Sequence, residues 1–250
     1  RRVGGMKRLT TWQAFGALAL TATLVLSGCG DKKDEASGAS GDSSSVGQDT
    51  GVELTKDNFF TEVTKAQAKA GSSHVVMTTS FGGQEIKAEG DTVVGATASD
   101  AKVAMTMKLG SQGTMDLRVL KNVVYLNFGP VTDNKFTKID LTDKSNPLVQ
   151  QFGGILNSFD PSAQADAYKG AVTSVTKKGS GEKIDGVDTT PYVVAIDPSK
   201  ITGASDSAQL PKNFELTMYL GPDNLPRKVE GDLAASGTTV KMSMLYSKSV

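Results

Sequence analysis

The sequence has few of the residues on which catalysis and metal binding most often depend. Among 250 residues there are one cysteine, one histidine and one tryptophan. This scarcity argues against an intramolecular disulfide, a Cys/His metal cage and a Cys–His catalytic pair. The 27 basic residues equal the 27 acidic residues in number, so the total charge gives no indication of a nucleic-acid partner. The composition, 38% apolar and 22% charged, is nevertheless that of a globular protein.

Motifs that carry hydrolytic or nucleotide chemistry are also missing. The sequence has no Gly-x-Ser-x-Gly nucleophile elbow and no glycine-rich loop of the dinucleotide or P-loop kind. His74 stands at the start of a predicted strand, and we expect it to be a surface or strand-end residue. The carboxylate pairs Glu85/Glu89 and Asp140/Asp143 have lysine neighbours and are expected on solvated faces. We therefore predict no metal, no cofactor and no enzymatic activity.

The first 28 residues contain four basic residues and no acidic one. After Met6, two cations precede an apolar run from about Ala14 to Leu26, and small residues follow. This order is typical of a secretory signal. The apolar run is shorter than the roughly 20 residues that a bilayer-spanning helix needs. The sequence therefore predicts a cleaved, lipoprotein-type signal peptide over residues 1–28.

The end of this segment, Leu26-Ser27-Gly28-Cys29, resembles the lipobox of bacterial lipoproteins. In that motif the cysteine thiol receives a diacylglyceryl group and becomes the new N-terminus after cleavage. The resemblance implies lipidation of Cys29, with acyl chains such as palmitate. It also implies a protein held at the extracytoplasmic face of the cell membrane. The alternative is a buried free cysteine, which is what a lone cysteine most often is.

Two regions of different composition follow the signal. Residues 29–51 combine the cysteine with a stretch rich in Gly, Ser and Asp, which predicts a flexible tether. Residues 52–250 contain no second low-complexity break and are predicted to form one domain. This domain opens with a predicted helix of about four turns that Thr55 caps and Gly71 ends. Its apolar residues recur at helical spacing: Phe59, Phe60, Val63, Ala66 and Ala70.

Beyond Gly71 the apolar residues mostly alternate, which is typical of half-buried strands. Eleven strands are predicted, over residues 73–81, 84–94, 102–109, 114–120, 123–128, 135–141, 171–178, 187–197, 213–220, 227–234 and 238–246. Short turns, including the hairpin signal Gly82-Gly83, favour antiparallel pairing of consecutive strands. One interruption, residues 146–170, is predicted to form two short helices broken at Asp160-Pro161.

An antiparallel sheet of this size twists and curls, and only one of its faces is apolar here. Helices must then cover that face. We predict an α+β fold in which a strongly curved half-barrel sheet of about eleven strands carries helices across its concave apolar face. The space between the sheet and the helices is expected to exceed what the side chains fill.

Methionines are concentrated on this apolar face. Six of the eight fall on the apolar side of four predicted strands: Met105, Met107, Met115, Met218, Met242 and Met244. Thioether side chains are flexible and polarizable, so a face lined by them suits ligands of variable shape. Methionine also fills irregular gaps in ordinary cores, and the pattern leaves both interpretations open.

Several stretches of the sequence resemble the actinobacterial LppX/LprA/LprF/LprG lipoprotein family. They are LTKDNF at 54–59, AQAKAGSSHV at 66–75, VVYL at 123–126, FTKIDL at 136–141 and GPDNLPRKV at 221–229. Members of that family are similar to the LolA and LolB carriers. They have a half-barrel sheet, helices across it, and a cavity that holds the acyl chains of envelope lipids or lipoglycans.

The resemblance implies a LolA-like, membrane-anchored lipoprotein that binds such acyl chains and carries or transfers them in the cell envelope. Its expected partners are a diacyl or triacyl lipid or lipoglycan and the plasma membrane, with a transporter or other envelope protein as a further candidate. The alternative is a protein-interaction or sensor module of the same fold on the outer face of the membrane. Burial of acyl chains would require no covalent chemistry.

Two sets of apolar residues are expected to form the lipid site. The first set would line the cavity: Val103, Met105, Met107, Leu109, Met115, Leu117, Val119, Leu126, Leu216, Met218, Met242 and Met244. The second set lies on the predicted helical pair and would form a lid or mouth: Leu148, Phe152, Ile155, Leu156 and Phe159. Gly153-Gly154 would give this lid a position of high backbone flexibility.

Overall fold

The structure is a computed structural model, and it describes residues 52–95, 97–110, 113–149, 167–201, 213–235 and 238–248. The predicted signal peptide, Cys29 and the predicted tether lie outside the described residues. Most of the predicted helical pair also lies outside them, although residues 147–149 and 167–169 at its two ends are helical. None of the described helices is both long and apolar enough to span a membrane.

The domain begins with one helix, α1, over Phe59–Ala70. Gly71 ends it as predicted: its φ of 76° is left-handed, and its N–H donates to the Gln67 carbonyl at 3.1 Å. The predicted start is wrong, because Asn58 and not Thr55 occupies the N-cap position. The Asn58 side chain instead accepts a hydrogen bond from the Thr55 N–H at 2.7 Å, which fixes the turn that precedes the helix.

Thirteen strands form among the described residues. They are β1 Ser72–Phe81, β2 Gln84–Val93, β3 Lys102–Lys108, β4 Thr114–Leu120, β5 Val123–Asn127, β6 Thr137–Asp140, β7 Val172–Lys177, β8 Lys183–Ile184, β9 Val187–Asp188, β10 Thr190–Ile196, β11 Phe214–Leu220, β12 Pro226–Ala235 and β13 Thr238–Ser247. Eleven of them build one antiparallel sheet, while β8 and β9 pair only with each other. The predicted strand at 187–197 is therefore divided, and its first two residues belong to the separate hairpin.

The large sheet has the order β6-β5-β4-β3-β2-β1-β13-β12-β11-β10-β7. One meander runs from β1 out to β6, and the other half of the sheet is built from β7 and β10–β13. The two halves join where β1 pairs with β13, the first strand with the last. Within the described residues, β6 and β7 are edges that do not pair with each other, so the sheet is open. The predicted fold class, a curved antiparallel half-barrel of eleven strands, is confirmed.

The turns follow the local sequence. Gly82 and Gly83 both have positive φ values, 55° and 80°, as the mirror-image turn of a two-residue hairpin requires. They connect β1 to β2 in the register Phe81 opposite Gln84. The predicted hairpin is therefore confirmed, and alternate residues of both strands face the same side of the sheet as expected.

The apolar face of the sheet carries two separate clusters of buried side chains. The larger cluster joins Phe59, Phe60 and Val63 of α1 to apolar residues of β1, β2, β7 and β10–β13. The Phe59 ring lies 5.7 Å from that of Tyr192, and the Phe60 ring lies 5.1 Å from that of Tyr168. The smaller cluster lies on the β3–β6 side: Ala101, Val103, Val119, Val124, Leu126, Ile139 and Leu141. The helix α1 therefore covers one half of the apolar face.

Candidate functional site

Four half-buried apolar side chains lie between the two clusters and contact them: Met105, Met107, Met115 and Leu117. We call this set the methionine strip. In the register of β3 and β4, Met105 lies opposite Leu117 and Met107 opposite Met115, so all four share the apolar face. On the other side, in β2, their neighbours are Gly90 and Ala88, which add almost no side-chain volume. Flexible thioethers therefore provide most of the surface at this point.

The twelve residues predicted to line a cavity differ in burial. Seven are buried in the two clusters: Val103, Val119, Leu126, Leu216, Met218, Met242 and Met244. The other five, Leu109 and the methionine strip, are half-buried. The two cavities described below are lined by none of the twelve. That these residues enclose a lipid stays a prediction, and within the set Leu109 and the methionine strip are the part that remains accessible.

The predicted lid can be described only at its first turn. Leu148 is 39% exposed, and its backbone N–H donates to Asn146 Oδ1 at 3.0 Å. Val149, next to it, packs against the smaller cluster. The other predicted lid residues, Phe152, Ile155, Leu156 and Phe159, lie outside the described residues.

The opposite face of the sheet carries a charged hollow of about 320 Å³ that includes His74. The His74 Nδ1 lies 3.0 Å from Asp91 Oδ1, and its Nε2 lies 3.6 Å from Glu89 Oε1. Nearby, Arg118 donates to the backbone carbonyls of Met105 and Leu117. These contacts join neighbouring strands and place His74 on the polar face. Among the described residues, no group of three or more metal-ligating side chains is assembled.

A larger cavity, of about 860 Å³, lies beside the C-terminal half of α1, and we call it the helix-end cavity. Its walls come from the helix, from the adjoining ends of β1 and β13, and from the turn between β11 and β12. The lining residues used below are Glu62, Lys65, Gln67, Lys69, Asp223, Arg227, Tyr246 and Lys248.

Two buried polar atoms of residues that line this cavity lack a hydrogen-bond partner among the described residues, Gln67 Oε1 and Arg227 Nε. Gln67 is only 6% exposed. Arg227 uses its Nη2 to bind Asp223 Oδ2 at 2.7 Å, which leaves the Nε–H unused. Buried polar groups nearly always have hydrogen-bond partners. We call these two unpaired atoms the orphan atoms, and their presence at one cavity indicates that hydrogen-bond partners are missing there.

The charges around the helix-end cavity are unequal. Four basic and two acidic side chains line it. Glu62 pairs with Lys65 at 2.8 Å, and Asp223 pairs with Arg227. In the part of the chain that the structure describes, Lys69 and Lys248 have no carboxylate within ion-pair distance. Burial raises the pKa of the Tyr246 hydroxyl, so this side chain stays neutral at the inner wall. The cavity therefore has a net positive lining.

The helix-end cavity could not be predicted from the sequence, because its lining residues come from three distant parts of the chain. The sequence did contain one indication of this region, namely part of the family resemblance. The stretches 66–75 and 221–229, which carry part of the family resemblance, both supply lining residues.

No protein-family model matches the chain, and no curated protein sequence matches it. Solved structures do match. The Mycobacterium tuberculosis lipoprotein LppX is 14% identical with a TM-score of 0.48, and the match covers 77% of this chain and 93% of LppX. LprF from Mycobacterium bovis is 13% identical with a TM-score of 0.46, covering 78% of this chain and 94% of LprF.

The MucA/MucB complex of Pseudomonas aeruginosa also matches, at 14% identity and a TM-score of 0.40, over 76% of this chain and 55% of the matched chain. At such identities the likeness concerns the fold. LppX and LprF bear names from the lipoprotein family that the sequence resembles.

Proposed function

We propose that this protein is a membrane-anchored lipoprotein that shelters acyl chains against the apolar face of its sheet. The observation that carries the proposal is the methionine strip. It places accessible, adaptable apolar surface on the inner face of an open sheet, between two clusters that are already packed. Ordinary core filling would bury these side chains as fully as Met218 and Met244, which are 0% exposed.

The energetics favour this use of the surface. An acyl chain of about fifteen methylenes gains on the order of 10 kcal/mol on leaving water, at roughly 0.8 kcal/mol per CH₂. The two clusters hold the sheet together on either side, so the strip between them can exchange contacts without unfolding the domain. Binding and release of this kind involve no covalent step, and we assign no catalytic residue.

The first test is the lipid content of the purified protein. The full chain, extracted in a mild detergent without a tag, is expected to show added masses of diacyl or triacyl lipids in native mass spectrometry. Organic extraction of the same sample would identify them. A chain that is always empty, and that takes up no lipid from mixed micelles, would contradict the proposal and leave the protein-interaction alternative.

The anchor requires its own test. Cys29→Ser is expected to abolish incorporation of labelled palmitate, because a hydroxyl cannot replace the thiol in the lipidation motif. Ser37→Ala, in the predicted tether, is the matched control and should retain the label. Label on the Cys29→Ser variant, or none on the unaltered chain, would show that this cysteine is not the anchor.

A further inference from the structure

We propose that the helix-end cavity binds a phosphate ester that also carries hydroxyl groups. This chemistry is shared by the headgroup of a phospholipid and by a free polyol phosphate. Where the ligand is a lipid, the inference rests on the proposed function and places the headgroup in the helix-end cavity, apart from the methionine strip. Where the ligand is a free phosphate ester, the inference stands without it.

The charge of the lining favours an anion. With Glu62 and Asp223 occupied by Lys65 and Arg227, the lining retains the positive charge of Lys69 and Lys248. Both lysines are exposed at the rim, where they attract an anion without a large desolvation cost. A group with several charged oxygens can accept hydrogen bonds from more than one cationic side chain.

The two orphan atoms specify the rest of the ligand. The Arg227 Nε–H needs an acceptor, which a phosphate oxygen provides. Gln67 Oε1 needs a donor, which an ionised phosphate lacks and a hydroxyl provides. Both atoms are buried, so a ligand with both groups satisfies them once the Gln67 amide and the Arg227 guanidinium turn into the cavity as the ligand enters. A bare inorganic anion would leave the Gln67 oxygen without a partner.

Size and position agree with this class of ligand. A cavity of about 860 Å³ is much larger than a phosphate ion and lies within the range of small-molecule sites. Tyr246 links it to the apolar face, since this residue both lines the cavity and belongs to the larger cluster. A headgroup held here would lie at one end of the face against which the acyl chains are proposed to pack.

The test is calorimetric titration of the full chain in mild detergent with inorganic phosphate, glycerol 3-phosphate, dimyristoyl phosphatidylglycerol and dimyristoylglycerol. Glycerol 3-phosphate is expected to bind more tightly than inorganic phosphate, and its affinity should fall as salt is added. The double variant Lys69→Gln/Lys248→Gln should weaken binding at least tenfold. The control Lys177→Gln/Lys178→Gln removes the same charge at two exposed positions at the end of β7 and should leave binding unchanged.

A second variant separates binding from folding. Gln67→Met keeps the length of the side chain and removes the orphan oxygen. It is expected to weaken glycerol 3-phosphate binding while the midpoint of thermal unfolding stays equal or rises, because an unsatisfied buried acceptor is lost. A fall in the unfolding midpoint with unchanged binding would show that Gln67 is structural and overturn its assigned role.

The four ligands distinguish the possible sources. Phosphatidylglycerol binding tenfold tighter than both glycerol 3-phosphate and dimyristoylglycerol identifies a lipid headgroup. Glycerol 3-phosphate binding as tightly as phosphatidylglycerol identifies a free polyol phosphate.

If both lipids bind equally and the lysine variant has no effect, the inference fails while the proposed function stands. If no phosphate compound binds, the inference fails. If glycerol 3-phosphate binds and neither lipid does, the cavity assignment stands and the proposed function fails.

Discussion

Met107→Arg is expected to abolish lipid uptake while leaving the protein folded, whereas the same change at Met244 should prevent folding. Met107 is half-buried in the methionine strip, so an arginine there can extend its guanidinium to solvent. We expect the free energy of unfolding to fall by about 1 kcal/mol. An acyl chain on the strip would have to bury that charge, so the affinity for lipid should fall by more than tenfold.

Met244 provides the contrast because it lies in the centre of the sheet. It is 0% exposed and pairs with Met77 on β1 and Val229 on β12. A guanidinium at this position has no route to water and no carboxylate partner in the cluster. Its burial costs several kcal/mol, which is comparable to the roughly 5–15 kcal/mol that stabilises a whole domain.

Urea unfolding followed by circular dichroism, together with uptake of a fluorescent fatty acid, would measure both effects. Met107→Leu is the control, since it keeps the volume and the apolar character and should change neither quantity by much. If Met107→Arg unfolds the protein as Met244→Arg does, the strip is part of a solid core and the lipid proposal loses its main support. Normal uptake by Met107→Arg would exclude the strip as the site.

Gly90→Ala is expected to reduce the free energy of unfolding by about 3 kcal/mol, an unusually large loss for the addition of one methyl group. Gly90 lies in the middle of β2 beside Met105 of β3. A Cβ at Gly90 would overlap the Ala104 carbonyl oxygen and come within 2.6 Å of the Met105 Cα. These are backbone atoms, so the clash can be relieved only by moving β3 relative to β2.

Gly170→Ala is the matched control for this prediction. A Cβ at Gly170 meets no heavy atom within 4 Å, and its φ is not in the left-handed region. The free energy of unfolding of the Gly170→Ala variant should therefore change by no more than about 0.5 kcal/mol. The two variants can be compared by their urea midpoints. Equal midpoints would show that the close approach of β2 and β3 is not a structural requirement.

The strands could be predicted from the sequence because each carries its own signal. Alternating apolar residues mark β3 and β4, and the paired glycines at 82 and 83 mark a turn that admits few other residues. All eleven strands of the large sheet overlap a predicted one. The β8–β9 hairpin was missed because two residues are too few to show a period. The helix start was misplaced because threonine and asparagine both serve as N-caps, and local contacts decide between them.

The candidate sites were harder to predict because they depend on distances that alternation does not encode. The alternation of apolar and polar residues placed the methionines on one face of the sheet. It could not show that Met105 and Met107 stay accessible while Met218 and Met244 are buried. That difference depends on where α1 packs. The helix-end cavity is lined by residues as far apart in sequence as Gln67 and Arg227, which are 160 positions apart, and neither residue type indicates a cavity.

The pairing of β1 with β13 also determines the order in which the sheet can be completed. Because a chain emerges from the ribosome with its N-terminus first, β1 exists long before the strand that will flank it. During that interval β2 can pair with one edge of β1, but the backbone N–H and C=O groups on the edge that β13 later covers are free to pair with a neighbouring chain. Contacts between such distant segments form slowly. Synthesis of the final ten-residue strand therefore ends the period in which the nascent protein is most vulnerable to aggregation.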